Sequence, residues 1–230
     1  MRELSLVAAS TAGRPVSPGW RPGELFEGID GAGFECVRRC LGAHVVEFSK
    51  RDRIASERDD RPRIGVLLSG VALDASEHAD GTSSVLDVIE PGGLFGDGWD
   101  SAGGASRVLV AAGEGRAVLL GSERLVGGHE GCGVRPRLVD NLLRAVLAKN
   151  ERLRGHLELV SRRTLRERLI GYLRGESERV EGSTFTIPLS RAELADFLHA
   201  DRAAVSRELS RMRDDGLVAY DRSTFALTRG

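Results

Sequence analysis

The sequence has very little lysine, few cysteines and no long hydrophobic run. Lys50 and Lys149 are the only lysines among 33 basic residues, a bias that we attribute to the composition of the genome. No segment approaches the roughly 18 apolar residues that span a bilayer. The first residues include Glu3 and lack the apolar core of a signal peptide. We therefore expect a cytoplasmic protein with no membrane partner.

The sequence also lacks the short motifs that carry catalysis. It has no nucleophile elbow, no HExxH pair, no P-loop and no paired set of cysteines and histidines. Each of these motifs would bring a nucleophile, a metal ligand or a phosphate cradle into a fixed position. We therefore predict no catalytic residue, and we do not expect an enzyme.

The three cysteines and five histidines have no metal-ligand spacing. Cys36 and Cys40 lie four residues apart on a predicted helix, and Cys132 lies in a Gly-rich stretch. We expect structural thiols and no metal site, since small buried thiols behave as apolar residues. A redox role for Cys36 and Cys40 is the alternative.

Charge and composition divide the chain into four parts. Residues 1–20 are rich in Gly, Pro and Ser and predict an N-terminal arm. Residues 21–134 hold 19 acidic and 12 basic residues, whereas residues 135–168 hold 4 and 10. We place the domains at 21–134, at 135–160 and at 161–230, and the charge difference suggests separate roles for the front and the centre.

The stretch from Phe185 to Asp221 has the pattern of a helix-turn-helix followed by a hairpin. Ser190 is a good N-cap with Glu193 three residues on, as a capping box requires. Asp201 can cap a second helix, which should end near Gly216. The residues that follow have strand composition with a turn in the middle. This order of elements is typical of a winged helix-turn-helix.

The second helix carries a face suited to reading DNA. Arg202, Ala203, Ser206 and Arg207 share that face. Arginine binds guanine with two hydrogen bonds, serine bonds to several bases, and alanine contacts the thymine methyl group. These four residues are therefore our candidates for base contacts. The alternative is a solvated face, on which the arginines pair with neighbouring acidic residues such as Glu208.

The segment TIPLSRAELADFLHADRAAVSRELSRMRDDGLV resembles the DNA-binding domain of the Crp/Fnr family of bacterial transcription regulators. The resemblance extends from about residue 162 to the C-terminus. It implies double-stranded DNA as a partner, with RNA polymerase suggested as another. It implies that Arg163, Ser190, Arg191 and Arg211 contact phosphate groups. Arg162 and Arg166, on the segment that leads into the DNA-binding domain, are further candidates.

The front domain has the pattern of an all-β unit. Strand-length apolar runs from Ile64 to Ser122 are separated by Gly-rich turns, as in a barrel or sandwich. They resemble the cyclic-nucleotide-binding-type β-roll of the same family, so we predict an α+β fold: this roll, a long dimerisation helix and a C-terminal winged helix-turn-helix.

The resemblance also places an effector pocket in the roll. Its candidate residues are Phe95, Gly96, Asp97, Trp99, Ser106 and Arg107. Relatives that bind cAMP place an arginine where this chain has Ser106, and Arg107, one residue later, should face the opposite side of its strand. We therefore expect an effector other than cAMP. We expect no iron–sulfur cluster, since such relatives use four cysteines.

Residues 135–160 predict one long helix with a heptad stripe. The stripe consists of Val139, Leu143, Val146, Asn150, Leu153, Leu157 and Val160. Asn150 falls at an a position, where asparagine favours a dimer of fixed register. Leu138 and Leu142 lie to one side and should pack on the roll. The alternative is a single amphipathic helix on its own domain.

These patterns together predict a homodimer that regulates transcription by binding an inverted repeat, under the control of a small molecule. The alternatives are a regulator without an effector and a protein-interaction module with a vestigial sensor domain.

Overall fold

A computed structural model describes residues 24–56, 63–78, 83–96, 106–127, 132–180 and 184–228. The predicted N-terminal arm lies outside these residues, as do the effector candidates Asp97 and Trp99. The backbone of Ser106 is described, but its side chain is not.

The front domain begins with helices that cover one end of the roll. A 3-10 helix, Glu24–Phe26, precedes helix α1, Gly31–Leu41. The Asp30 carboxylate caps α1 by accepting a hydrogen bond from the Gly33 N–H group at 2.8 Å. α1 buries Phe34, Val37 and Leu41 against the roll.

The described residues of the roll form eight strands, and short strands were predicted from the spacing of the apolar runs. They are β1 (His44–Phe48), β2 (Arg53–Ser56), β3 (Arg63–Ser69), β4 (Ala72–Glu77), β5 (Ser83–Ile89), β6 (Leu94–Gly96), β7 (Ser106–Ala111) and β8 (Gly115–Gly121). One sheet has the order β1-β8-β3-β6 and the other has the order β2-β7-β4-β5. Every described pairing is antiparallel. Phe95, Leu109 and Leu119 belong to the core between the sheets.

A short helix, α2 (Ser122–Gly127), follows β8. Leu125 of this helix is fully buried among residues of α1 and the roll. This burial stabilises a helical turn that local composition does not favour.

The long helix α3 spans Arg135–Val160 and has Pro136 in its first turn, as predicted. Leu138 is fully buried and Leu142 is partly buried against the front domain, which confirms the predicted packing. The Asn141 side chain donates hydrogen bonds to the carbonyl oxygens of Leu25 and Glu27, at 3.1 and 2.9 Å. These contacts fix the first half of α3 to the roll.

The C-terminal domain has the predicted winged helix-turn-helix arrangement. Its elements are α4 (Leu165–Glu178), β9 (Thr184–Thr186), α5 (Arg191–Phe197), α6 (Arg202–Asp214), β10 (Val218–Asp221) and β11 (Thr224–Leu227). The strands form a sheet of order β10-β11-β9. Both helices of the motif begin at the predicted caps, Ser190 and Asp201.

Candidate nucleic-acid interface and sensor pocket

Helix α6 buries one side and exposes the other. Val205, Leu209 and Met212 are fully buried in the core of the C-terminal domain. The opposite side exposes all four candidates for base contact: Arg202, Ala203, Ser206 and Arg207. We call these four residues the recognition face.

The start of α6 is held in a fixed position by its cap. The Asp201 carboxylate accepts hydrogen bonds from the N–H groups of Ala203 and Ala204, at 2.8 and 3.0 Å. These are two of the four donors that the first turn of a helix leaves without partners. The cap therefore fixes the orientation of Arg202 and Ala203 relative to the rest of the motif.

The acidic residues near the recognition face are engaged elsewhere. Arg166 of α4 donates to Glu208 at 2.6 Å and to Asp215 at 2.7 Å. These contacts raise the pKa of the Arg166 guanidinium, Glu208 having the larger effect. Among the ion pairs that the described residues make, none includes Arg202 or Arg207. The solvated-face alternative predicted such pairs for Arg202, Arg207 and Arg211, and among the described residues only Arg211 has one, with Glu208.

The candidates for phosphate contact differ in their exposure and in the contacts that they already make. Arg163 is exposed where the chain passes from α3 to α4. Arg211 is exposed and pairs with Glu208 at 3.3 Å. The hydroxyl of Ser190 accepts a hydrogen bond from the Glu193 N–H group, and the Glu193 carboxylate accepts one from the Ser190 N–H group. This is the predicted capping box.

Arg191 has a structural role that the sequence does not reveal. Its guanidinium donates to the Arg222 carbonyl at 2.8 Å and lies over the rings of Tyr220 and Phe225. Burial lowers the pKa of this guanidinium. Arg191 therefore ties the first helix of the motif to the hairpin.

The effector candidates at the end of β6 fill the roll. Phe95 is 1% exposed and packs in the core between the sheets. Gly96 has a φ of +100°, and a Cβ atom there would lie 2.1 Å from the Arg63 carbonyl oxygen. Phe95 and Gly96 thus serve the packing of the roll.

Arg107 does not lie on the face that we predicted. Alternate residues of a strand share a face, so Arg107 lies on the side of Leu109 and Ala111. Those two residues belong to the roll core. The prediction rested on an alignment with relatives, and an error of one residue in such an alignment reverses the face.

Arg107 belongs to a buried ionic cluster inside the roll. Its guanidinium donates to the Asp74 carboxylate at 2.5 Å. Lys149 reaches from α3, with its Nζ 3.6 Å from Asp74 and 3.9 Å from Asp87. Asp74 lies opposite Asp87 on the neighbouring strand. We call these four residues, Asp74, Asp87, Arg107 and Lys149, the ionic cluster.

Burial dominates the electrostatics of this cluster. Asp74 is 2% exposed and Asp87 is 8% exposed. Burial raises the pKa of Asp87, and the positive charge of Lys149 partly opposes the shift. The sequence analysis missed the cluster, although a signal exists: Asp87 alternates with the apolar residues Val85 and Ile89 on the buried face of β5.

A surface cleft of about 460 Å³ lies elsewhere, near the β1–β2 turn. Its lining includes Glu47, Asp52, Glu114 and Arg116. Of the predicted effector residues, those that the structure describes in full, Phe95, Gly96 and Arg107, do not line it. The cleft therefore gives no support to the predicted pocket.

The predicted heptad stripe is exposed along much of α3. Exposed fractions are 37% for Val139, 61% for Leu143, 47% for Val146, 38% for Leu153 and 65% for Leu157. Asn150 is exposed and Val160 is half-buried. Leu147, 56% exposed, widens this apolar surface. A row of this length on one chain is typical of a surface that another helix covers.

The C-terminal domain packs on the front domain of the same chain. Leu73 and Val85 of the roll share a core with Leu194 and Phe197 of α5. The ring of His156 on α3 lies 4.0 Å from the ring of Phe197. These contacts involve α5 and leave the recognition face exposed.

Comparison with known proteins shows what this chain resembles. The family model for the Crp-like helix-turn-helix domain matches residues 167–228, which include α5, α6 and the hairpin. The nitrogen fixation regulation protein FixK of Azorhizobium caulinodans is 27% identical over 200 residues, which cover 84% of this chain and 78% of that protein. The chain therefore contains a Crp-like helix-turn-helix domain and is similar to FixK over most of its length.

Solved structures of Crp/Fnr proteins share the fold. FixK2 from Bradyrhizobium japonicum has a TM-score of 0.66 at 19% identity, over 81% of this chain and 93% of that chain. The c-di-GMP responsive global regulator CLP of Xanthomonas campestris has a TM-score of 0.68 at 17% identity, over 87% and 100%. The β-roll followed by a helix-turn-helix domain is therefore confirmed. None of the helices in the described part of the chain is long and apolar enough to cross a membrane.

Proposed function

We propose that this regulator is a homodimer that reads an inverted-repeat operator, with one recognition face in the major groove of each half-site. The observation that carries this proposal is the exposure of Arg202, Ala203, Ser206 and Arg207 on a helix whose own position is fixed. The cap at Asp201 and the contacts of Arg166 hold the helix before any DNA arrives. Such preorganisation lowers the entropy cost of binding.

The exposed stripe of α3 supports the dimer. A second copy of the stripe would cover the side chains of Leu143, Val146 and Leu157. Exposure of these apolar side chains to water is unfavourable. Two chains joined along α3 would present two recognition faces, as a two-fold symmetric operator requires. The proposed phosphate contacts are Arg163, Ser190, Arg191 and Arg211. Arg191 contributes indirectly, because it holds the hairpin in place.

The ionic cluster argues against cAMP as the effector. A cyclic phosphate entering the roll would meet the buried carboxylates of Asp74 and Asp87. The guanidinium of Arg107, whose planar fork could bind a phosphate, already donates to Asp74. An effector of this roll should therefore be something other than a cyclic nucleotide anion.

The same cluster favours a second candidate, a regulator that needs no effector. Lys149 connects α3 to the interior of the roll through Asp74 and Asp87. Residues of the chain itself thus link the sensor domain to the long helix. Native mass spectrometry of the protein as purified from cells separates the candidates, since a retained small molecule supports an effector.

Replacing Arg207 with alanine tests DNA reading. The change should cost roughly 1–3 kcal/mol per half-site against the preferred operator and much less against unrelated DNA. Arg38→Ala is the control, because it removes the same charge from α1, where Arg38 pairs with Glu35. Gel-shift titrations of both variants on operator and scrambled duplexes give the result. Undiminished discrimination by Arg207→Ala refutes the assignment.

A further inference from the structure

The fold brings all three cysteines of the chain together. The Sγ atoms of Cys36 and Cys40 lie 3.8 Å apart, and those of Cys36 and Cys132 lie 3.2 Å apart. All three sulfur atoms lie within 4.8 Å of one another. We call these residues the cysteine triad. The sequence analysis predicted no metal site, because Cys36 and Cys132 are 96 residues apart.

Two separate elements build the triad. Cys36 and Cys40 lie one helical turn apart on α1, so their side chains project from the same face. Cys132 lies just before α3 and is 6% exposed, whereas the other two are half-buried. The triad thus connects α1 to the chain that enters the long helix.

The spacing of the sulfur atoms fits a single ion. Thiolates bind Zn²⁺ at about 2.3 Å in a tetrahedral arrangement, which places them about 3.8 Å from one another. The separation of Cys36 and Cys40 already has this value. Cys132 needs to move away from Cys36 by only about half an ångström to reach it.

We propose that the cysteine triad is a binding site for one thiophilic metal ion of the zinc class. Three thiolates form a soft ligand set that selects Zn²⁺ over the hard cations Mg²⁺ and Ca²⁺. No histidine, aspartate or glutamate among the described residues joins the three sulfur atoms. Within the described residues, the fourth coordination position is left for water or an external ligand.

A metal ion bound at this position should affect regulation. This inference rests on the proposed function. A bound ion would join α1 to the first turn of α3, where Arg135 also donates to the Leu125 carbonyl at 3.0 Å. It would thereby fix the start of the helix that carries the dimer stripe. Metal occupancy should then change operator affinity.

Metal binding is tested first on the reduced full-length protein, without DNA. Equilibrium dialysis against Zn²⁺, followed by elemental analysis, should find about one zinc ion per chain. Co²⁺ used as a probe should give the ultraviolet absorption of thiolate-to-cobalt charge transfer. Cys36→Ser and Cys40→Ser should each abolish stoichiometric binding, whereas His78→Ala, a control at an exposed histidine outside the triad, should retain it.

Several outcomes would overturn the site. They are the absence of stoichiometric zinc, binding that survives Cys36→Ser, and iron in place of zinc in the protein as purified. A Cys36–Cys132 disulfide in the isolated protein, combined with no zinc binding after reduction, would also overturn it. Circular dichroism of each variant distinguishes loss of the site from loss of the fold.

A second measurement separates this site from DNA reading. Gel shifts on the operator with and without Zn²⁺ should differ for the wild type and agree for Cys40→Ser. If zinc binds stoichiometrically but operator affinity does not respond, the metal site stands and its regulatory role is refuted. If no operator is bound at all, the proposed function fails and the zinc titration still decides the site.

Discussion

At the scale of single residues, Gly96 occupies a backbone conformation that requires glycine. Its φ of +100° is disfavoured for other residues, and a Cβ atom would meet the Arg63 carbonyl. Gly96→Ala should therefore lower the free energy of unfolding by about 2 kcal/mol or more.

Gly31→Ala is the matched control for this prediction. Gly31 opens α1, and a Cβ atom there has no neighbour within 4 Å. The control should be neutral or stabilise by up to about 1 kcal/mol. Urea denaturation of both variants measures the difference. Equal stability of the two would show that the end of β6 does not have this backbone.

Some residue roles could be predicted from the sequence because they are local. The caps at Ser190 and Asp201 depend on three or four neighbouring residues, and both are present. The face of Arg107 could not be predicted in the same way. It depends on the register of the strand, and bulges interrupt the pairing of neighbouring strands near Asp74 and Arg53.

At the scale of elements, the exposed stripe of α3 makes the clearest prediction. Leu143 is 61% exposed at an a position, so Leu143→Glu should leave the single chain folded. A charge buried between two helices would cost about 3 kcal/mol, and dimer dissociation should rise roughly a hundredfold or more. Sedimentation equilibrium measures this change.

Gly155→Glu provides the control for the charge. It adds the same charge to the same helix at a position off the stripe, where a Cβ atom has no neighbour within 4 Å. It should remain as dimeric as the wild type and gain helix propensity. Dissociation of both variants to the same extent would mean that charge alone, and not the stripe, governs association.

His156 makes the contact between α3 and α5 sensitive to pH. Burial and the nearby His199 lower the pKa of His156, and both of its ring nitrogens are buried without a hydrogen-bond partner among the described residues. Above a pH of about 6.5 the ring is neutral in both the folded and the unfolded state. As pH falls through this value the unfolded state takes up the proton first, so the free energy of unfolding falls.

His156→Phe keeps the aromatic contact with Phe197 and removes the titrating group. Thermal unfolding at pH 7.5 and 5.5 should therefore show a smaller loss of stability in the variant than in the wild type. Because other groups titrate equally in both proteins, the difference isolates His156. An identical pH dependence would show that this ring is not buried in the folded protein.

Elements with a strong periodic pattern could be predicted, and the short ones could not. The bounds of α3, Arg135–Val160, coincide with the predicted helix because apolar residues and Pro136 indicate it over many turns. Helix α2 has six residues and forms because tertiary packing buries Leu125. Local sequence carries little information on such a helix.

At the scale of the whole molecule, the order of domains followed from composition and from resemblance, whereas the contacts between them did not. The ionic cluster, the cysteine triad and the packing of α5 on the roll each join residues far apart in the sequence. Their meeting depends on the completed fold.

Selection of binding sites from random duplex DNA by the purified wild-type protein tests the central claim most directly. The account predicts enrichment of an inverted repeat, with half-site centres separated by about one helical turn of 10 base pairs. Enrichment of a single half-site, or of no sequence at all, would contradict a dimer that presents two recognition faces to DNA.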